Sequence, residues 1–231
     1  MTSQQAAASD EARGEQPRFK SNRPRASRLS GKDVGSTTMR PLFIMTERFD
    51  ARAGEAWHKY IAWSKLTQLT ELVTLDASLC ELVADEVLPD DWPHILNEDF
   101  MLHYFIDLDY LLRRCGGVEG RNLLCVFRNP EEQPTPPDGP HDFRFLGYDL
   151  IDVTSGPSAL TNCGGFPLAF SNDELTSHGL LSTLARAREV QQALEHHYPD
   201  EHHAFCDAWA IFRATQHGAA ADDRPQAGDR G

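Results

Sequence analysis

The chain has 231 residues, 22 basic and 35 acidic side chains and 40% hydrophobic residues, enough apolar material for one sizeable core. The charge is unevenly spread: residues 1–40 carry a net +4, residues 41–216 a net −16 and residues 217–231 a net −1. A field of that sign over the middle stretch repels phosphate backbones and anionic lipid; it argues against a nucleic-acid-binding or membrane-surface domain and favours basic partners or cations, while also serving solubility.

Residues 1–40 are rich in Ser, Ala, Gln, Gly and Arg and have no apolar periodicity to offset the entropy of ordering. They predict a disordered basic arm, and any nucleic-acid contact falls to it. Met39 and Met45 are alternative starts for translation. Cys80, Cys115, Cys125, Cys163 and Cys206 are odd in number and widely spaced. The first forty residues hold no apolar run of a signal peptide, and no stretch approaches the ~20 apolar residues of a membrane helix. The expectation is a cytoplasmic chain with free thiols and no membrane contact.

From Asp50 the spacing is helical, with Trp57, Tyr60 and Ile61 on one face and Leu66, Leu69, Leu72 and Val73 continuing after a phase shift near Ser64. Asp76 suits an N-cap for a helix burying Leu79, Leu82, Val83 and Val87 and ending at Pro89. Met101, Tyr104, Phe105, Leu108, Leu111, Leu112 and Cys115 give the strongest helical pattern, capped by Asn97 and released at Gly116–Gly117. Asn122 to Arg128 reads as a strand. After a polar loop, Phe143 to Val153 reads as a second strand with apolar cover on both faces, the central one of its sheet.

Residues 154–179 form a long loop punctuated by Gly and Pro, with one capping box at Ser171 and Glu174. A helix from Leu180 to Glu195 and a third strand from Ala204 to Arg213 follow, and residues 217–231 predict a disordered tail. The order implies an α+β fold: a small, about three-stranded, mostly antiparallel sheet with helices packed on one face, formed by a single acidic domain over 41–216.

Several groups carry potential chemistry. Cys163, followed by Gly164 and Gly165, is the one thiol in a loop, where glycine N–H groups can face an oxyanion; His178 or His141 can act as its base and Asp149, Asp152 or Asp173 can orient that base. The bland alternative is a Gly-Gly turn beside a buried thiol. His197, His202 and Cys206 lie in the densest collection of zinc-type ligands, although no His-x₃-His pair or Cys-x₂-Cys knuckle sets their spacing, and histidines at a helix C-terminus are favourable by dipole alone. Paired carboxylates stand at Glu98/Asp99, Asp107/Asp109 and Asp149/Asp152, with solvation or ion pairing, such as Asp109 with Arg113, as the plain reading. Trp57, Trp63, Trp92 and Trp209 are core residues by default and interface anchors otherwise. No phosphate-binding Gly-rich loop and no nucleophile elbow occurs.

Two functions fit these residues. The first is a non-catalytic interaction protein whose acidic domain binds a basic protein through the 154–179 loop and neighbouring carboxylates, with Asn162, Gly164, Gly165, Asp149 and Asp152 as contacts and no cofactor. The second is a small cysteine-dependent hydrolase or transferase using Cys163, with zinc at the histidine-rich turn as its optional metal.

Overall fold

A computed structural model describes residues 40–96, 102–162 and 165–215. The predicted arm and tail therefore lie outside the described residues, apart from Arg40, as do Asn97, the Glu98/Asp99 pair, Met101, Cys163 and Gly164. Along the chain come β1 (Leu42–Glu47), β2 (Phe49–Asp50), α1 (Glu55–Ser64), β3 (Glu71–Leu72), β4 (Ile95–Leu96), β5 (Tyr104–Phe105), α2 (Leu108–Cys115), β6 (Arg121–Arg128), β7 (Phe143–Asp152), α3 (Leu184–His197) and β8 (Cys206–Ala214).

The α+β class holds, but the sheet is larger than the sequence pattern implies. A six-stranded antiparallel sheet runs in the order β4-β5-β1-β6-β8-β7, and β2 pairs with β3 in a second sheet of two strands. The expected sheet of about three strands is thus wrong, because three of its strands were hidden in the pattern. β1, LFIMTE, is buried along nearly its whole length, and a strand covered on both faces shows an unbroken apolar run with no period of two. The dipeptides β4 and β5 are too short to show any period, yet Phe43 pairs with Phe105 and Ile95 with Phe105.

The long helix expected through Met101–Cys115 is half as long as predicted. Tyr104 and Phe105 are spent in β5, and the side chain of Asp107 accepts from the Tyr110 N–H at 2.9 Å, so the helix starts at Leu108. Its left-handed exit at Gly116, φ 70°, is where the sequence puts it. The helix expected after Asp76 is replaced by turns, because the Asp76 carboxylate is drawn into long-range bonds with residues 158–162.

One face of the sheet packs Phe43, Leu123, Cys125, Phe127 and Phe212 with Leu111 of α2 and with Ala187, Val190 and Leu194 of α3. The other face, with Ile44, Leu124, Val126 and Ile211, packs with Val73, Leu75 and Leu180, from irregular segments. β7 is an edge strand, contrary to its expected central place. Its two-sided apolar pattern arises because both faces are covered, Tyr148 and Leu150 packing into one core cluster and Leu146 and Ile151 into the other. The following chain wraps its free edge: Tyr148 and Leu181 exchange backbone bonds at 2.8 and 3.0 Å, and the Ala159 N–H donates to the Leu150 carbonyl at 2.8 Å. Gly147, φ 149°, is needed for that approach, since a Cβ there would lie 2.6 Å from Leu180 Cβ and 2.7 Å from the Leu181 carbonyl oxygen. Among the described residues no helix is long and apolar enough to cross a membrane.

Candidate functional site

Two arrangements of polar groups stand out. The first is a surface groove of about 560 Å³ where the start of β1, the chain entering α2 and the loop before β7 meet. Its apolar wall includes Phe43 and Phe143, whose rings lie 6.1 Å apart, and Pro93. Asp107, Asp109 and Asp138 line it, with Arg40 and His94. Asp109 and Asp138 are exposed, and neither makes an ion pair among the described residues; the Asp109–Arg113 pair that the spacing allows is not formed. The bond from the Tyr110 N–H, followed by the nearby charges of His94 and Arg113, holds the Asp107 carboxyl below the usual carboxylate range against the opposing effect of burial.

The rim beside Pro93 is held rigidly. Residues Pro89–His94 form a 3-10 turn, and Asp91 within it is buried, accepting from Leu88 N at 2.8 Å, Tyr110 Oη at 2.7 Å and Arg114 Nε at 3.3 Å. His94 stacks on Tyr110 with ring centroids 3.8 Å apart and planes 9° from parallel, and its Nδ1 lies 3.2 Å from Asp107 Oδ2. With Asp91 pinned inward and His94 pinned to α2, Trp92 between them is left 58% exposed. Leu88, one residue before the turn, is exposed too, as are Asp85, Glu86 and Asp90.

The second arrangement is a buried carboxylate network under the 73–82 segment. Asp149, on β7, is fully buried. It accepts from Thr74 Oγ1 at 2.7 Å, Leu75 N at 3.0 Å, Ser158 Oγ at 2.6 Å and Leu150 N at 2.8 Å. Asp76 accepts from Ser78 N and Oγ, Ser158 N and Asn162 Nδ2 at 2.6 to 2.9 Å. Burial pushes the Asp149 carboxyl above its ordinary range, and Asp76 adds to that push, although the donors Ser158, Thr74 and Leu75 pull the other way. Asp152 Oδ1 accepts from Thr154 N, Thr154 Oγ1 and Ser155 N, whereas its Oδ2 is buried with no hydrogen-bond partner. This network staples the start of the 154–179 loop to the sheet beside the buried Ala159 and Leu160.

That placement changes the roles read from sequence. Asp149 and Asp152 are buried and bind their own chain, so their carboxylates do not face a partner, and Asn162 is engaged with Asp76 and with Ser78 Oγ at 2.9 Å. Gly165 has φ 98°, and Gly164 and Cys163 lie outside the described residues. His178 is half-buried, next to Gly179, where a Cβ would stand 3.0 Å from Thr161 Cγ2; burial lowers its pKa first, and then Arg213, in the company of Glu71, Arg144 and Arg48. His141 lies in the loop before β7, with no side-chain bond to the 154–162 segment.

The zinc-type ligands are not gathered. His197 is exposed at the end of α3, its ring against His196 at 4.6 Å; His202 is exposed in the next turn; and the Cys206 thiol is turned into the core, donating to the His203 carbonyl at 3.1 Å. Among the described residues no group of three or more His, Cys, Asp or Glu side chains is placed to hold a metal ion.

His203 instead sits by the loop, its ring centroid 5.5 Å from that of Phe166. Burial holds its imidazole below the usual range, with Asp152 the foremost neighbour opposing that effect.

Sequence patterns singled out the Asp107/Asp109 pair but missed Asp138, His94 and the special exposure of Trp92. The legible signal was Trp92 inside PDDWPH, a tryptophan between prolines with no periodic apolar partners. Compared with protein-family models, curated proteins and solved structures, the chain matches none of them.

Proposed function

We propose that this chain is a binding protein whose acidic domain engages a basic protein partner. The observation that carries the reading is the net −16 of residues 41–216 together with exposed groove carboxylates, Asp109 and Asp138, that no cation of the described chain neutralises. Such carboxylates cost little in water and attract a positively charged surface over roughly one Debye length, about 8 Å at physiological salt. The test is fluorescence anisotropy of a labelled oligo-arginine peptide titrated with the full chain, beside an oligo-glutamate peptide. The reading expects saturable binding of the basic peptide alone, weakened as salt is raised. No saturable binding at low salt refutes it.

A second reading, thiol-dependent hydrolysis or group transfer at Cys163, is favoured by one specific arrangement. His203 reaches the loop beside Phe166, three residues after Cys163, and Asp152 near it keeps one buried oxygen without a partner. An imidazole kept neutral at pH 7 by burial is competent to take a thiol proton, and a carboxylate can orient it. Alkylation separates the cases cleanly, because burial pushes Cys80 and Cys125 up to about 12 and raises Cys115, while Cys206 is buried. A fast-reacting thiol at neutral pH that is slowed by His203→Ala supports the reading, and the absence of any cysteine faster than a model thiol ends it.

A further inference from the structure

We infer that the groove between Phe43, Phe143 and Pro93 is the docking site for an extended, arginine- or lysine-bearing segment of a protein partner, with the exposed Trp92, the residue before the lining Pro93, as its anchor. The inference rests on the basic-partner reading and assigns it a place and a mode.

Charge complementarity identifies the occupant. Asp107, Asp109 and Asp138 line the groove against the single arginine, Arg40, and His94 is already engaged by Asp107. An anionic ligand meets a surplus of like charge there, whereas a guanidinium or ammonium meets Asp109 and Asp138, which have no cationic partner among the described residues. Trp92 supplies a second, independent feature. At 58% exposure it offers an indole face that attracts a cation, and the Asp91 and His94 contacts to α2 on either side fix the turn that presents it.

Rigidity of this kind lowers the entropy lost on association, and aromatic anchors in fixed positions dominate interface energetics. The mode follows from the walls. Pro41, Pro93, Pro137 and Pro140 have no backbone N–H to give, so the groove does not add a strand to the sheet and recognises side chains instead.

The test uses the full chain and the labelled oligo-arginine peptide. Trp92→Ala and the pair Asp109→Asn/Asp138→Asn are compared with a control pair, Asp200→Asn/Glu201→Gln, which removes the same charge from an exposed turn after α3. Both groove variants are expected to weaken binding about tenfold or more, and the control pair by no more than about twofold. If the control weakens binding as much as the groove pair, attraction is general and the groove is excluded, while the basic-partner reading stands. If the parent chain does not bind, the reading fails and the docking site fails with it. Trp92 is largely exposed, so its alanine variant keeps the fold; the two isosteric Asp→Asn changes decide the matter independently.

Discussion

Replacing Asp149 isolates what the buried network contributes. In Asp149→Ala, the hydroxyls of Thr74 and Ser158 can rotate toward other groups, but the Leu75 and Leu150 N–H groups lose the acceptor they use. Each orphaned buried donor costs about 1 to 3 kcal/mol, and loss of the carboxyl leaves a small void, so the substitution is expected to remove about 3 to 5 kcal/mol of stability. That is a large part of the ~5 to 15 kcal/mol typical of a domain. Asp149→Asn keeps the shape and one acceptor oxygen and is expected to cost about 1 to 3 kcal/mol.

The pH dependence supplies a sharper check. The folded chain raises the Asp149 pKa, chiefly by burial, so the group contributes its stability in full below the unfolded carboxylate value and loses it as pH rises through the folded value. The amide of Asp149→Asn does not titrate. The stability gap between parent and Asp149→Asn should therefore shrink as pH rises, while shifts of the other carboxylates cancel in the difference. Urea unfolding of the three proteins across a pH series reads this directly. An alanine variant within about 1 kcal/mol of the parent, or a gap that widens with pH, refutes the account of the network.

Two further substitutions probe the scaffold. Gly147→Ala puts a methyl group 2.6 Å from Leu180 Cβ at φ 149°, and urea unfolding should show a loss of about 2 to 4 kcal/mol; a neutral effect means the strap across β7 is loose. Glu71 is buried and takes bonds from Arg48 Nε at 2.9 Å, Asn122 Nδ2 at 2.8 Å and Arg213 Nη1 at 2.6 Å. Burial pushes its pKa up, but those partners outweigh burial and hold it below the ordinary range. Glu71→Gln should cost about 2 to 4 kcal/mol near pH 7, less than a wholly buried pair because both guanidiniums reach water. Because the folded pKa is depressed, that stability is present above the unfolded carboxylate value and disappears as pH falls through the folded one, so the parent and Glu71→Gln should converge in acid; parallel unfolding curves across that range contradict the assignment.

How far the sequence could be read depended on the length of each signal. β6, β7, β8 and α3 announce themselves through long apolar patterns with turn residues at their ends. The strands lie within two residues of where the pattern places them, whereas α3 starts at Leu184, four residues later than expected, because Thr183 caps it and Leu181 bonds to β7. β1 was lost because full burial erases alternation, and β5 was absorbed into a helix because Tyr104, Phe105 and Leu108 happen to fall at helical spacing. β7 is an edge strand because only β8 pairs with it, and its free edge is covered by Leu181 bonding to Tyr148, a contact 33 residues apart that no local pattern encodes.

The same limit governs the sites. Asp149 and Asp152 look like surface carboxylates when read locally, and only the distant Thr74, Leu75 and Ser158 make Asp149 a buried brace. Asp107 and Asp109 were visible as a pair, but the groove also needs Asp138 and Phe143, brought in by a separate loop. Charge was legible from composition; the place where it matters was not.

Hydrogen–deuterium exchange of the full chain with and without the oligo-arginine peptide tests the central claim most directly. Slowed exchange confined to residues 89–94, 106–109 and 137–143, reversed by raising salt, is the predicted result. Slowed exchange around residues 154–179 with the groove unchanged, or no change anywhere at saturating peptide, contradicts it.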